Sequence, residues 1–285
     1  MRQRDLFNGT YIQNRIVPAM PYMGNKRKLA TRILNTIYRT VGDFDNLYDL
    51  FGGGGSVSVA GVLAGHSVVY NEYNTGIANL MRYLQSGGEL PNKWISREDF
   101  KKYKDGDDWY AGFIKCFWSF GNSQKEYLFG KDIEELKHEA HNYLLVNGYN
   151  GKSANRLKLV KQFKKDKNIK DKFELEQLEQ LEQLERLEQL ERLEIFNLSY
   201  EEVEIKGKAV IYCDPPYKGT ASYQKTIDYD KFYKWCLENK NPVFISEYSM
   251  PSEFKEVAKC KHITSLSSVG CSEVIEKLYW NNIKL

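Results

Sequence analysis

Cysteine is scarce in this chain and follows no pattern. The five cysteines, Cys116, Cys213, Cys236, Cys260 and Cys271, contain no CxxC pair, and no histidine stands at metal-ligand spacing from them. Neither a zinc site nor a disulfide framework is suggested, no metal is expected, and reduced, mostly buried thiols are the reading. Long apolar runs are missing too, since none approaches the roughly 18 residues a membrane span needs. The opening MRQRDLFNGTY has no apolar core of the kind a signal peptide carries, so an intracellular chain is expected. A GxGxxG fingerprint is absent, which counts against a nicotinamide-linked oxidoreductase. Nor does one charge dominate: 41 basic residues against 38 acidic ones leave +3, too little to imply a nucleic-acid partner by itself.

What charge there is has been segregated. Between Lys152 and Lys172 nine Lys or Arg face two Asp, and between Glu174 and Glu194 eight Glu face two Arg, so the middle of the chain is electrically polarised. The first eighty residues alternate in the α/β manner. A helix is predicted from about Lys26 to Thr40, a strand over Leu47–Phe51 ending in four glycines, a helix from Ser56 to about Leu63, a strand over Ser67–Tyr70 and a helix from Thr75 to about Leu84. Two such βα units are what a parallel sheet requires. The alternation stops after Gln85-Ser86-Gly87-Gly88, and a polar, aromatic, helix-biased region follows. It returns with the apolar Ala209–Cys213, a helix near Tyr229 to Leu237, a strand over Pro242–Ser246, and strand-like His262–Leu266 and Val274–Trp280. The expected organisation is a discontinuous α/β domain, 1–85 and 196–285, interrupted by a mainly helical insertion, 86–195.

That insertion ends in a three-residue repeat over 174–194, with leucines at 175, 178, 181, 184, 187, 190 and 193. Three residues advance an α-helix by about 300°, so the stripe drifts roughly 60° per step and offers no single buried face. A helix with a spiralling stripe, a tighter three-residue coil, or a leucine-rich-repeat-like turn leading into Ile195–Leu198 all fit the pattern; helix propensity favours the first.

Three motifs carry chemistry. Asp49-Leu50-Phe51-Gly52-Gly53-Gly54-Gly55-Ser56 places a glycine loop between a strand and a helix, where a ligand can approach the backbone and the helix N-terminus closely. Glu72 ends the next strand, where an acid can accept bonds from both ribose hydroxyls of a nucleoside cofactor. Asp214-Pro215-Pro216-Tyr217 ends the apolar strand after the insertion. The prolines hold the backbone rigid, and Pro215 lacks an N–H but keeps its carbonyl. A carboxylate and a rigid carbonyl side by side can accept two hydrogen bonds from one amino group, while Tyr217 offers a flat face. That combination suits the exocyclic amine of a nucleobase.

With these motifs in this order the chain resembles the Dam-type N6-adenine DNA methyltransferases. It has Tyr22-Met23-Gly24-Asn25-Lys26 for the family's aromatic-x-G-x-K, Phe51–Gly55 for its FxGxG-like loop, Glu72 for its acid after the second strand, and Asp214–Tyr217 for DPPY, with the insertion before it. The match covers roughly residues 18–85 and 196–285. It implies a Rossmann-like, S-adenosylmethionine-dependent methyltransferase sheet with an inserted target-recognition region. Asp214, Pro215, Pro216 and Tyr217 would then be catalytic. Tyr22, Met23, Gly24, Lys26, Asp49, Phe51, Gly53, Gly55, Ser56, Glu72 and Asp214 would bind S-adenosylmethionine, with Tyr22 and Lys26 near its methionine part; from the residues alone Lys26 is an ordinary helix-start lysine.

The implied substrate is double-stranded DNA, in the cytoplasm of a bacterial or phage-infected cell, with the protein a monomer or weak dimer. Lys152, Arg156, Lys158, Lys161, Lys164 and Lys165 are the candidates for phosphate contacts. Trp118 and Phe120 are expected in the core. The family's Asn- and Arg-containing recognition stretch has no clear counterpart in 86–195; the nearest segments are Phe117–Asn122 and Asn150–Arg156. Cytosine N4, an RNA adenine or a glutamine amide remain alternative targets, as does a DNA-binding protein without turnover. Asp at 214 leans toward adenine.

Overall fold

A computed structural model describes residue 13 and residues 16–184, 190–217, 227–264 and 272–285. Apolar segments that lack alternation form the central parallel strands: β1 (Asn46–Asp49), β4 (Ala209–Cys213) and β5 (Val243–Glu247). Every residue of β4 and β5 is buried, as strands covered on both faces must be. β2 (Ser67–Asn71) and β3 (Leu193–Phe196) extend the sheet beyond β1, and β7 (Ser272–Trp280) and β6 (Lys255–Thr264) extend it beyond β5. The order is β3-β2-β1-β4-β5-β7-β6, with β7 antiparallel to both its neighbours and the other pairs parallel. This is a Rossmann-like sheet with one antiparallel strand let in near its edge, the kind of sheet the resemblance implies. Its connections reverse direction between β1 and β4, and beyond the C-terminal strand ends at such a point a ligand crevice opens. Register brings Asp49 level with Tyr70 of β2 and Tyr212 of β4, so Glu72 and Asp214 emerge together at the same end.

The helices follow from the pattern with small shifts. α1 (Ala30–Val41) buries Ile33, Leu34 and Ile37 but begins four residues later than the spacing predicts, after turns closed by Leu29 N to Lys26 O and Ala30 N to Lys26 O. α2 (Ser56–Leu63) is buried on nearly every side, and α3 (Thr75–Gln85) is capped by the Asn74 side chain, which accepts from Ile77 N at 3.3 Å. β6 starts well before the predicted His262. Its first residues, Lys255-Glu256-Val257-Ala258-Lys259, are mostly charged and hold only a pair of small apolar groups, which suits a solvated edge strand and hides it from an apolar reading. Residues 265–271, part of the predicted strand and Cys271 included, lie outside the described residues.

Between α3 and β3 the described residues form the α-helices α4 (Arg97–Tyr103), α5 (Trp109–Phe117), α6 (Glu134–Val146), α7 (Ser153–Asp166) and α8 (Glu176–Leu184). α5 lies so close on α3 that a Cβ at Gly112 would sit 2.0 Å from Gly76 O. The chain re-enters the sheet at Leu193, which pairs with Val68. The repeat is helical over α8, and its drifting stripe is used rather than wasted. Leu175 and Leu178 are buried with Ala140, Leu144, Val160 and Phe163 of α6 and α7, Leu184 packs on the main core, and Leu181 touches both. Residues 185–189 lie outside the described residues. Among the described residues no helix is long and apolar enough to cross a membrane, and no cluster of His, Cys, Asp or Glu is placed to hold a metal ion. Cys116, Cys213 and Cys236 are free and buried.

Candidate active site

The strand ends and the loops that leave them enclose a cleft of about 1120 Å³. At its floor the glycine loop is held from three sides. Gly52 N donates to Asn71 O at 2.8 Å and Gly55 N to Gly52 O at 2.7 Å, while the buried Tyr70 hydroxyl donates to Gly53 O at 2.7 Å. A Cβ at Gly52 would meet the Tyr70 ring at 2.2 Å, and Gly53 has a φ of +48° with the Tyr22 ring 3.0 Å from where its Cβ would lie. Only glycine suits either position.

Asp49, at the end of β1, accepts from Ser58 N at 3.1 Å and Ser58 Oγ at 2.7 Å through Oδ2. Its Oδ1 and the Oγ of Ser56, first residue of α2, are buried without a hydrogen-bond partner. Burial raises the Asp49 carboxyl to about 7, against the bonds from Ser58. Glu72 accepts from Gly53 N at 2.9 Å and from Asn74 N at 2.8 Å, tying the loop after β1 to the start of α3. Burial raises its pKa too, opposed by those two bonds and by Lys115. Each carboxylate oxygen retains capacity for a second donor.

The other wall is built around Asp214. Lys26 Nζ lies 2.7 Å from Asp214 Oδ2 and 3.3 Å from Glu276 Oε1, donates to Gly24 O at 3.0 Å, and stands 5.3 Å from the centre of the Tyr217 ring. Asp214 Oδ1 is buried and has no hydrogen-bond partner. Burial raises the Asp214 carboxyl to about 6; Lys26 opposes this, and Glu276 and Glu247 add to it. Burial alone would lower the Lys26 ammonium, but Asp214 and Glu276 outweigh it and raise the pKa above its ordinary value. Tyr229 donates its hydroxyl to Pro216 O, and the rings of Tyr217 and Tyr248 meet edge to face at 4.6 Å.

Tyr22, Met23, Gly24, Lys26, Asp49, Phe51, Gly53, Ser56, Glu72, Asp214, Pro215, Pro216 and Tyr217 all line this cleft. Gly55 does not: it sits behind the wall with φ +81°, where a Cβ would strike Met81. None of the six basic candidates lines it either. Lys152, Lys158, Lys161 and Lys165 are exposed and Lys164 is half-buried, bonded to Asp171 O at 2.5 Å. Arg156 must be withdrawn as a phosphate contact. It is 6% exposed and paired with the buried Glu182 at 2.9 Å, because the helix turns it inward onto α8. The expectation for Phe120 also fails. Trp118 is buried, whereas Phe120 is 63% exposed on a hairpin-like turn closed by Phe120 N to Glu126 O at 2.8 Å and Leu128 N to Trp118 O at 2.9 Å.

Several residues of the cleft had no signal strong enough to find them. Ser123, Gln124 and Lys125 reach it from that same turn, and Asp105, Asp107 and Lys115 from α5 and the loop before it. Tyr248 could have been found, since it follows β5 much as Glu72 follows β2. Glu276 lies on β7 at the far edge of the sequence, and only the antiparallel return of that strand carries it to Lys26.

The site thus offers buried oxygen atoms awaiting donors at Asp49, Ser56 and Asp214, a backbone cradle of glycine, and aromatic faces. These fit a nucleoside-bearing group on the Asp49 side and an amine at Asp214. Comparison with curated proteins found no match. Residues 22–258 match the family described as D12 class N6 adenine-specific DNA methyltransferase, which spans most of the chain and both walls of the cleft as far as Tyr248, and the protein accordingly belongs to that family and methylates adenine N6 in DNA.

Proposed function

We propose that the methyl donor is S-adenosylmethionine, held by the glycine-loop side of the cleft, and that the DPPY side grips an adenine turned out of duplex DNA. When bound, S-adenosylmethionine supplies a methyl group on a sulfonium centre. Tyr22, Met23, Gly24, Phe51, Gly53 and Ser56 would surround it, with Asp49 and Glu72 as hydrogen-bond acceptors. Lys26 is drawn to Asp214 and Glu276, so its part is electrostatic as well as positional.

The observation that carries this reading is the buried, unpartnered Asp214 Oδ1 beside the rigid Pro215. Adenine N6 is a poor nucleophile because its lone pair is delocalised into the ring. Hydrogen bonds from its two N–H groups to Asp214 and the Pro215 carbonyl pull the nitrogen toward tetrahedral geometry and free that pair. A bond to a charged acceptor is worth about 1.5 to 3 kcal/mol, and it strengthens as positive charge develops on nitrogen, so it favours the transition state over the ground state. Turning the base out costs a few kcal/mol; stacking on Tyr217 returns roughly 1 to 3 kcal/mol.

The helical insertion, 86–195, is assigned the reading of DNA, with residues 1–85 and 196–285 as the catalytic part. The exposed lysines of α7 are the phosphate contacts, and Phe120 is the aromatic carried at the rim by the turn that also supplies Gln124 and Lys125. The test is transfer of labelled methyl from S-adenosylmethionine to mixed-sequence duplex DNA, with nucleoside analysis of the product. N6-methyladenine is expected from the wild type, with Asp214→Ala losing turnover while donor affinity stays within a few fold. Label only in RNA or protein, or wild-type rates in Asp214→Ala, would overturn the assignment.

A further inference from the structure

Asp214 has two oxygens, and the structure treats them differently. Oδ2 is taken by Lys26 at 2.7 Å, and Oδ1 is buried without a hydrogen-bond partner. Lys26 does not pair with Asp214 alone: a second carboxylate, Glu276 on β7, lies 3.3 Å from its ammonium. Lys26, Asp214 and Glu276 are all largely buried, the side chains 6%, 18% and 6% exposed. A buried ammonium needs its charge matched, and a buried carboxylate left unmatched is costly. Asp214 alone would neutralise Lys26; the second carboxylate leaves the cluster with one net negative charge, beside the position at which an amine becomes positive.

We propose that Glu276 is a positioning residue for methyl transfer: by anchoring Lys26 it keeps Asp214 Oδ2 engaged, leaves Oδ1 as the acceptor for the N6 amine, and supplies the excess negative charge that favours the transition state. This rests on the assignment of Asp214 as the amine acceptor and adds the residue that orients it. Glu276 does not line the cleft; it acts through Lys26 and through the adjoining Tyr217, on which its charge bears.

The groups that face Asp214 are Lys26 from the loop before α1, Asp49 at the end of β1, Tyr212 on β4, Tyr217 beyond it, Glu247 and Tyr248 at the end of β5, and Glu276 on β7. Lys26 favours the charged carboxylate and Glu276 opposes it. Removing one or the other must therefore move its ionisation in opposite directions.

The acidic limb of kcat/KM for DNA methylation, which reports a group on the free enzyme, tests this. Glu276→Gln is expected to move the limb down by roughly one pH unit, Lys26→Met to move it up by at least as much, and the double variant to return it near the wild-type position. At neutral pH, Glu276→Gln should lower kcat about tenfold, less than the hundredfold or more that follows removal of a group bonded directly to the reacting atoms, with KM for DNA and donor affinity within twofold. Glu276→Asp, which keeps the charge, should hold the limb in place. Carbon-13 NMR of the aspartate carboxyls in the donor-free protein reads the same shifts without turnover and also shows that each variant is folded. An unmoved limb in Glu276→Gln, or shifts of one sign in both single variants, would overturn the role of Glu276. Absence of methyl transfer by the wild type would instead overturn the reading of the site beneath it.

Discussion

Asp49 shows how far burial can push one carboxyl, and how that shift bears on the stability of the whole chain. Its carboxyl is raised by burial from the ordinary 3.8 to about 7. Between those values the folded protein keeps a proton that the unfolded chain has released. The contribution to stability is therefore full below about pH 4 and is lost as pH rises through 7. Asp49→Asn keeps an oxygen for Ser58 and removes the titration. In the absence of donor the variant should melt within a degree or two of the wild type at pH 4 and several degrees above it at pH 8, as read by calorimetry. A constant difference across that range would mean that Asp49 stays ionised and that a group beside it supplies compensation. The same substitution should weaken donor binding, because the unpartnered Oδ1 becomes an amide N–H₂. Stability gained against ligand binding lost is the signature of a residue kept for its chemistry.

At the scale of elements, α8 turns an apparent defect into a joint. A leucine stripe that circles the helix cannot serve one core, but it can serve two, and α8 lies where the α6–α7 cluster meets the main core. The glutamates of the repeat are not equivalent either. Glu182 is buried and accepts from Arg156 Nε at 2.9 Å, the Tyr149 hydroxyl at 2.9 Å and Ser153 Oγ at 2.8 Å. Removing one partner of such a pair leaves the other buried and unmatched, a loss of about 3 to 5 kcal/mol. Glu182→Ala should accordingly speed hydrogen exchange through α6, α7 and α8 by two orders of magnitude or more. Glu179→Ala, at a partly exposed position, should change it less than threefold. Equal effects at the two positions would mean that the buried network is not what holds the insertion together. None of this was legible in the repeat itself, where Glu179 and Glu182 look identical; only the partners brought by α7 distinguish them. The strands that bear the site were legible, because β1 and β4 lead within three residues to Gly52 and Pro215, and the β-branched and aromatic start of β5 follows Pro242. β6 was not legible over its first half, where charged edge residues carry no core signal.

For the molecule as a whole, the glycine loop, Glu72 and Asp214–Tyr217 could be read because each lies at a strand end, where side chains leave the sheet together whatever the intervening chain does. Glu276 could not, since its place depends on β7 returning antiparallel beside β5. Arg156 and Phe120 were misplaced for a related reason: composition says which residues are basic or aromatic, while the helix phase and the turn decide which way they face. The same distinction sharpens the test of DNA binding. Removing Arg156 from the basic tract leaves Lys152, Lys158, Lys161 and Lys165 exposed, and only exposed charge can displace counterions from a duplex. Every lysine that no longer neutralises a phosphate should reduce the slope of log affinity against log salt by about 0.9. Lys158→Ala, Lys161→Ala and Lys165→Ala combined should flatten that slope by up to about 2.7 while leaving kcat on saturating DNA unchanged. Glu182→Gln, which loosens Arg156 without altering the exposed face, should leave the slope at its wild-type value. If the triple variant leaves the slope unchanged, α7 is a solvated face and the duplex is held elsewhere; if Glu182→Gln steepens it instead, Arg156 has been freed to reach phosphate, and the burial of that one side chain is what limits the basic tract.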